Sequence, residues 1–180
     1  LINDYNVYAL QMPEALNFAG EPMPLDNPDI YERMDRELLV NTYWQSNGLL
    51  MFKRAKKYFP IIEPILAEYG VPDDFKYLAV IESGLTNAVS PAGARGVWQI
   101  MPATGKQVAS SLGRGHRGTD LYEVDHNVLL GSAYYRQLLD RFNGNRIFAL
   151  TAYNAGPHRV DRWRRASAGA LPVDIWVETI

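Results

Sequence analysis

The sequence contains no cysteine, which excludes disulfides and thiolate chemistry. Histidine is almost as scarce. The three present, His116, His126 and His158, are not spaced as zinc ligands on one helix face, so neither a metal nor any other cofactor is called for. No stretch approaches the roughly 18 apolar residues needed to span a bilayer. Leu1 is neither an initiator Met nor the start of a signal-peptide pattern, so the chain reads as a mature form or a fragment. An excess of charge is missing too. Lys and Arg number 18 against 20 Asp and Glu, and the net charge of −2 argues against a general nucleic-acid binder, which needs a clearly basic surface. There is no Walker-type phosphate loop and no dinucleotide fingerprint; Gly113-Arg114-Gly115-His116-Arg117-Gly118 reads as a flexible basic turn.

What is there suits one compact helical domain. With 180 residues, 47% of them hydrophobic, the chain can bury a single sizeable core. Residues 1–28 carry Pro13, Pro22, Pro24 and Pro28 without a sustained helical period and either wrap the domain or tether it. From Asp29 a helix to about Gln45 places Ile30, Met34, Leu38 and Tyr43 in an approximate stripe, and Ser46-Asn47-Gly48 is expected to end it. Further helices are expected at about 49–58, 61–69, 73–82, 102–111, 126–142, 145–154 and 157–167, punctuated by Pro60, Gly70, Gly113, Gly144 and Gly156. No alternating run is long enough for a strand. The fold class is therefore all-α, with a short hairpin or irregular loop at 90–99.

Chemistry enters at Glu82. Asp73 and Asp74 suit a first helical turn, Pro72 its start, and Leu78, Ala79 and Ile81 an apolar face, so a lone acid stands at the end of a nearly apolar helix. Such an acid is either a solvated helix-end charge or a carboxyl in low dielectric, where desolvation raises its pKa and makes it a proton donor. Two further segments bear on the choice. Residues 90–105, through Gly93-Ala94-Arg95-Gly96-Val97-Trp98-Gln99-Ile100-Met101-Pro102, combine small residues with an aromatic, an amide and a thioether. Ala152-Tyr153-Asn154-Ala155-Gly156-Pro157 places a phenol and a second amide where a helix breaks. Asp120, Glu123 and Asp125 resemble helix-entry caps, with Asp125 preceding a helix that begins near His126. Ser83 as a nucleophile has no histidine nearby in sequence to activate it. Two basic clusters, Lys53, Arg54, Lys56 and Lys57, and Arg159, Arg162, Arg164 and Arg165, are either solvated helix faces or contacts for an anionic partner.

In this order and at these separations, the Glu82-Ser83, Gly96–Met101 and Tyr153-Asn154 segments resemble the lytic transglycosylases of the goose-type-lysozyme-like superfamily. The resemblance runs from about residue 29 to 180. Residues 36–83, with Val40-Asn41-Thr42-Tyr43-Trp44 and the Gly70-Val71-Pro72 turn, are most similar to the membrane-bound lytic transglycosylase D group. Residues 127–180, with Asn145-Arg146-Ile147-Phe148-Ala149, are more similar to the soluble lytic transglycosylases. Such a mosaic is either a natural intermediate branch or a recombined or engineered sequence.

The resemblance implies a lysozyme-like helical domain over 29–180 with a glycan-binding cleft, acting on peptidoglycan glycan strands in the bacterial cell envelope, by expectation the periplasm. A membrane tether, if present, would lie outside this chain. The implied reaction uses one acid. Glu82 protonates the glycosidic oxygen between N-acetylmuramic acid and N-acetylglucosamine, the substrate's 2-acetamido oxygen stabilises the oxocarbenium-like centre, and Glu82 then takes the C6 hydroxyl proton to give a 1,6-anhydro product. Ordinary glycoside hydrolysis would need a second carboxylate, which makes a hydrolytic muramidase the neighbouring reading and a non-catalytic glycan-binding module the other. Ser83 and Ser90 are implied to hydrogen-bond near Glu82 or the acetamido group, or else to close structural turns. Gln99 and Met101 line the cleft, Tyr153 directs its hydroxyl at Glu82 or the acetamido group, and Asn154 fixes the turn or binds sugar. Trp98 is either a stacking platform or a core residue. Soluble relatives continue past the segment similar to Val177-Glu178-Thr179-Ile180 into a helix that adds a tyrosine to the cleft floor, so the chain is expected to be truncated at that end.

Overall fold

A computed structural model describes residues 8–113, 117–118 and 120–166. Among these, an antiparallel pair of two-residue strands, β1 (Asn17–Phe18) and β2 (Glu21–Pro22), precedes α1 (Pro28–Tyr43), α2 (Gln45–Glu68), a 3₁₀ turn (Asp73–Tyr77), α3 (Leu78–Ser83), α4 (Pro102–Leu112), α5 (Val124–Arg141), α6 (Arg146–Ala155) and α7 (Pro157–Ala166). None of the described helices is long and apolar enough to cross a membrane.

The hairpin is too short for alternation to betray it. Ala19 and Gly20 form its turn with φ of 53° and 83°, a left-handed pair that suits a two-residue hairpin. Its backbone is fastened to the domain: the Ala19 N–H donates to the Asp74 carboxylate over 2.7 Å, and the Phe18 ring lies 5.3 Å from that of Phe75. Described residues of the proline-rich segment therefore wrap the domain.

The helical boundaries differ most around α1 and α2. The first helix stops at Tyr43, and the elbow at Trp44 (φ −83°, ψ 58°) starts α2 at Gln45, so Ser46-Asn47-Gly48 opens a helix instead of ending one. The two helices expected at 49–58 and 61–69 are one. Pro60 and Pro64, four residues apart, are both exposed; each removes one intrahelical bond on the exposed side of the helix, where a stranded carbonyl is open to solvent. Ile62 and Leu66 on the opposite side are buried in the core and keep the helix in place.

Helix α5 is the central post, packing against α2, α4 and α6, while α6 packs on α7. Trp98, Tyr135, Phe75, Ile62, Leu66 and Leu130 are among the fully buried side chains that fill the core. Gly131 allows the Trp98 ring to lie on α5, since a Cβ there would stand 2.1 Å from Trp98 Cε3. Lys76 bonds Glu63 of α2 at 2.9 Å and Asp73 at 2.6 Å, fixing the segment that delivers α3.

Candidate active site

Glu82 lies in the last turn of α3, three residues after Ala79 and four after Leu78, both of which are buried. It shares their side of the helix, and its carboxyl is half-buried. Ile81 does not belong to that face: it is 77% exposed, about 100° of helical turn away from Glu82. Burial raises the Glu82 pKa above the ordinary carboxylate value. No hydrogen bond or ion pair ties down this carboxyl among the described residues.

The loop after α3 is built by its own backbone and by α5. Arg95 and Ile100 exchange bonds of 3.0 and 2.9 Å, the Gly96 N–H donates to Ala88, and isolated bridges join Val89 to Arg95 and Arg95 to Ile100. This is an irregular loop with isolated β-bridges. Asn127, fully buried on α5, organises it: its Oδ1 accepts the Trp98 N–H at 2.9 Å, and its Nδ2 donates to the carbonyls of Arg95 and Leu121, each at 3.0 Å. Gly96 (φ 78°) passes so close that a Cβ would meet Asn127 Nδ2 at 2.3 Å.

Several expected substrate contacts turn inward. Ser83 Oγ sits 3.0 Å from the Ala79 carbonyl and 2.9 Å from that of Val97, and accepts the Thr86 N–H, so the hydroxyl stitches α3 to the loop. Ser90 Oγ accepts the Ala94 N–H at 3.0 Å and closes a turn. Gln99, at φ 46°, donates both amide hydrogens to backbone, to Ala88 at 3.0 Å and Gly96 at 2.8 Å, leaving its amide oxygen as the acceptor for a ligand. Trp98 is fully buried, so the stacking platform gives way to the core reading. The Tyr153 hydroxyl donates to the Trp98 carbonyl at 2.8 Å instead of to Glu82. The two groups are nonetheless neighbours: burial first, and the Glu82 carboxylate second, push the Tyr153 phenol well above its ordinary pKa.

A cleft of about 240 Å³ brings Gln99, Met101, Tyr153 and Asn154 together, along with Ile100, Thr104, Tyr134, Ala155 and Gly156. None of these is a carboxylate. Met101 is 43% exposed at the N-cap of α4, and Asn154 is exposed at the end of α6. Glu82, Ser83 and Ser90 are not part of this lining. Thr104 and Tyr134 were not anticipated; the Tyr134 ring lies 5.7 Å from that of Tyr153. A larger groove of about 650 Å³ between α1 and α2, lined by Met34, Leu38, Leu49 and Phe52 among others, contains none of the expected site residues. Asp120, Glu123 and Asp125 are exposed. Glu123, not Asp125, is the N-cap of α5, which starts at Val124; Asp125 falls in the first turn and accepts the His126 N–H. His126 Nε2 lies 2.8 Å from the Arg117 carbonyl, whereas His116 and the terminal segment ending Val177–Ile180, with the expectation of a missing cleft helix, fall outside the described residues.

Residues 59–172 match the family model described as Transglycosylase SLT domain. The chain is 41% identical over 93 residues to the soluble lytic murein transglycosylase of Salmonella typhimurium, an alignment covering 51% of this chain and 14% of that protein. It is 26% identical over 168 residues to the membrane-bound lytic murein transglycosylase D of Escherichia coli, covering 88% of this chain and 35% of that one. Among solved structures, the 70 kDa soluble lytic transglycosylase of Escherichia coli matches with a TM-score of 0.54 and 32% identity, over 59% of this chain and 18% of that chain. The lytic transglycosylase Slt of Pseudomonas aeruginosa, in an inactive mutant carrying glutamine for glutamate, matches with a TM-score of 0.57 and 28% identity, over 84% and 25% respectively. This chain thus spans about a seventh of the soluble curated relative and about a third of the membrane-bound one.

Proposed function

The chain belongs to the Transglycosylase SLT domain family, and from that premise we propose that it is a peptidoglycan lytic transglycosylase with Glu82 as its single acid and base. The observation that carries this reading is the half-buried Glu82 carboxyl, raised in pKa by desolvation and close enough to Tyr153 of the cleft wall to push that phenol's pKa up, beside a cleft whose lining contains no carboxylate. A raised pKa keeps a proton on Glu82 for the glycosidic oxygen between N-acetylmuramic acid and N-acetylglucosamine. As the C1–O bond breaks, the substrate's acetamido oxygen stabilises the oxocarbenium-like centre. The Glu82 carboxylate then removes the C6 hydroxyl proton while that oxygen bonds C1, so the glutamate ends protonated and no water is consumed.

Tyr153 serves here as an acceptor. With its hydrogen given to Trp98, the phenol oxygen can still receive a bond from the acetamido N–H and turn the acetamido oxygen towards C1. The Gln99 amide oxygen and Asn154 receive sugar hydroxyls, Met101 supplies apolar contact at the rim, and Ser83 and Ser90 hold the backbone around them. The site of action is the bacterial cell envelope, by our reading the periplasm, with glycan strands as partner. Purified sacculi incubated with the protein test the assignment. Soluble muropeptides should appear with the unmutated chain and fall by about 10²–10⁴-fold with Glu82→Gln; equal release by both would remove Glu82 from the chemistry.

A further inference from the structure

The basic cluster at 53–57 is not uniform. Lys53, Lys56 and Lys57 are exposed, but Arg54 is half-buried, and its Nη1 donates to the carbonyl oxygen of Gly84 at 2.9 Å across 30 residues of sequence. That carbonyl belongs to the corner immediately after Glu82-Ser83. Gly84 is left-handed at φ 59° and ψ 33°, and Leu85 follows at φ 55°. A second left-handed residue is costly for a side chain branched like leucine, and Leu85 is only 1% exposed, so the turn is held by its surroundings. Two backbone bonds close the helix end, Gly84 N–H to Val80 at 2.9 Å and Leu85 N–H to Ala79 at 3.0 Å. The Gly84 carbonyl itself is left for a donor from outside α3, and the Arg54 guanidinium of α2 supplies one.

We propose that Arg54 is a positioning residue for Glu82: it clamps the left-handed Gly84-Leu85 corner to α2 and thereby fixes the short helix end from which the catalytic carboxyl projects. The inference rests on the reading of Glu82 as the acid. Its effect runs through the Gly84 backbone carbonyl. Six residues of α3 are too few to hold their own geometry, so the end of the helix depends on such tethers.

The test uses the 180-residue chain and three variants, Arg54→Met, Arg54→Lys and the exposed control Lys53→Met. Two readouts are taken: turnover of soluble glycan strands, resolved into kcat and KM across pH, and amide hydrogen exchange at Gly84 and Leu85. In Arg54→Met, kcat should fall about tenfold or more with KM and the alkaline limb of the pH profile, along which Glu82 loses the proton it must donate, unmoved. Exchange at Gly84 and Leu85 should quicken about tenfold while amides of α5 and α6 keep their protection. Arg54→Lys should recover part of both, and Lys53→Met should change neither. Unchanged exchange at the corner in Arg54→Met overturns the clamp, and a moved alkaline limb would mean that Arg54 acts by its charge instead. A kcat loss matched by loss of folded protein would reduce Arg54 to a stability contact. Absence of turnover in the unmutated chain would sink the reading of Glu82 alone, because the exchange measurement still decides the clamp.

Discussion

The Tyr153 hydroxyl and the Trp98 carbonyl oxygen are joined by a 2.8 Å hydrogen bond that ties the C-terminal end of α6 to the loop after α3. The two rings meet edge to face at 6.3 Å, so the same pair is linked by packing as well. The cleft wall from α6 and the loop that bears Gln99 are thereby held in one register next to Glu82.

Tyr153→Phe keeps the ring and removes that bond, leaving the Trp98 carbonyl without its donor. We expect a loss of about 1 kcal/mol in stability, with a proportionally larger loss of lytic rate because the acetamido acceptor also goes. Chemical denaturation beside a lysis assay checks this; a variant with full lytic rate would show that the phenol oxygen takes no part.

Glu82→Gln should stabilise the fold at neutral pH. The folded pKa of Glu82 lies above its unfolded value, so the contribution of Glu82 to stability is fully present below the unfolded pKa and is lost as pH rises through the folded one. Thermal melts should therefore show Glu82→Gln ahead of the unmutated chain near pH 7, with the gap closing on acidification below the ordinary glutamate range. A gap that widens towards acid would contradict burial as the cause of the shift.

Asn127 makes three bonds from a fully buried position, one to the Trp98 N–H and two to carbonyls of the loop region. Asn127→Ala strands all three groups, and we expect a cost of about 2–4 kcal/mol. Glycan binding should weaken together with stability, since the loop that carries Gln99 loses its post. Heat capacity scans and a chitooligosaccharide titration measure the two effects, and a cost within experimental noise would mean that the loop supports itself.

Arg141 at the end of α5 donates to Asp161 of α7 at 2.6 Å, and this bond holds the Asp161 carboxyl below its ordinary pKa. A depressed folded pKa gives stability above the unfolded value that is lost as pH falls through the folded one. The pair is partly exposed, so Asp161→Asn should cost under about 1 kcal/mol at neutral pH. That difference should vanish in acid; a difference that survives there would point to packing of α7 and not to charge.

Legibility in the sequence followed local chemistry. Pro102 and Pro157 at helix starts and Gly113 and Gly156 at helix ends marked α4, α6 and α7 to within a residue or two. Pro60 misled for the same reason, because a proline breaks a helix in isolation but not when its stranded carbonyl is on the exposed side and the other side is buried, as it is again at Pro64 within the expected 61–69 helix. The Glu82-Ser83 and Tyr153-Asn154 segments were visible as motifs, yet the partners of their side chains were not. Ser83, Gln99 and Tyr153 carry groups that suit a sugar equally well as a backbone carbonyl, and only the closing of the loop decides between them. Asn127 was hidden because a polar residue on a helix declares itself only when its face is known to be buried. Tyr134 and Tyr135 are adjacent in sequence, but a helical step separates them, so one lines the cleft and the other fills the core.

The central claim is that one carboxyl cleaves the glycan without water. Digesting sacculi with the unmutated chain in water enriched in heavy oxygen, followed by mass spectrometry of the released muropeptides, tests it directly. The account predicts 1,6-anhydro ends, lighter by one water than reducing ends and free of the heavy label. Reducing ends carrying heavy oxygen at C1 would contradict it and make the protein a hydrolase with a second base.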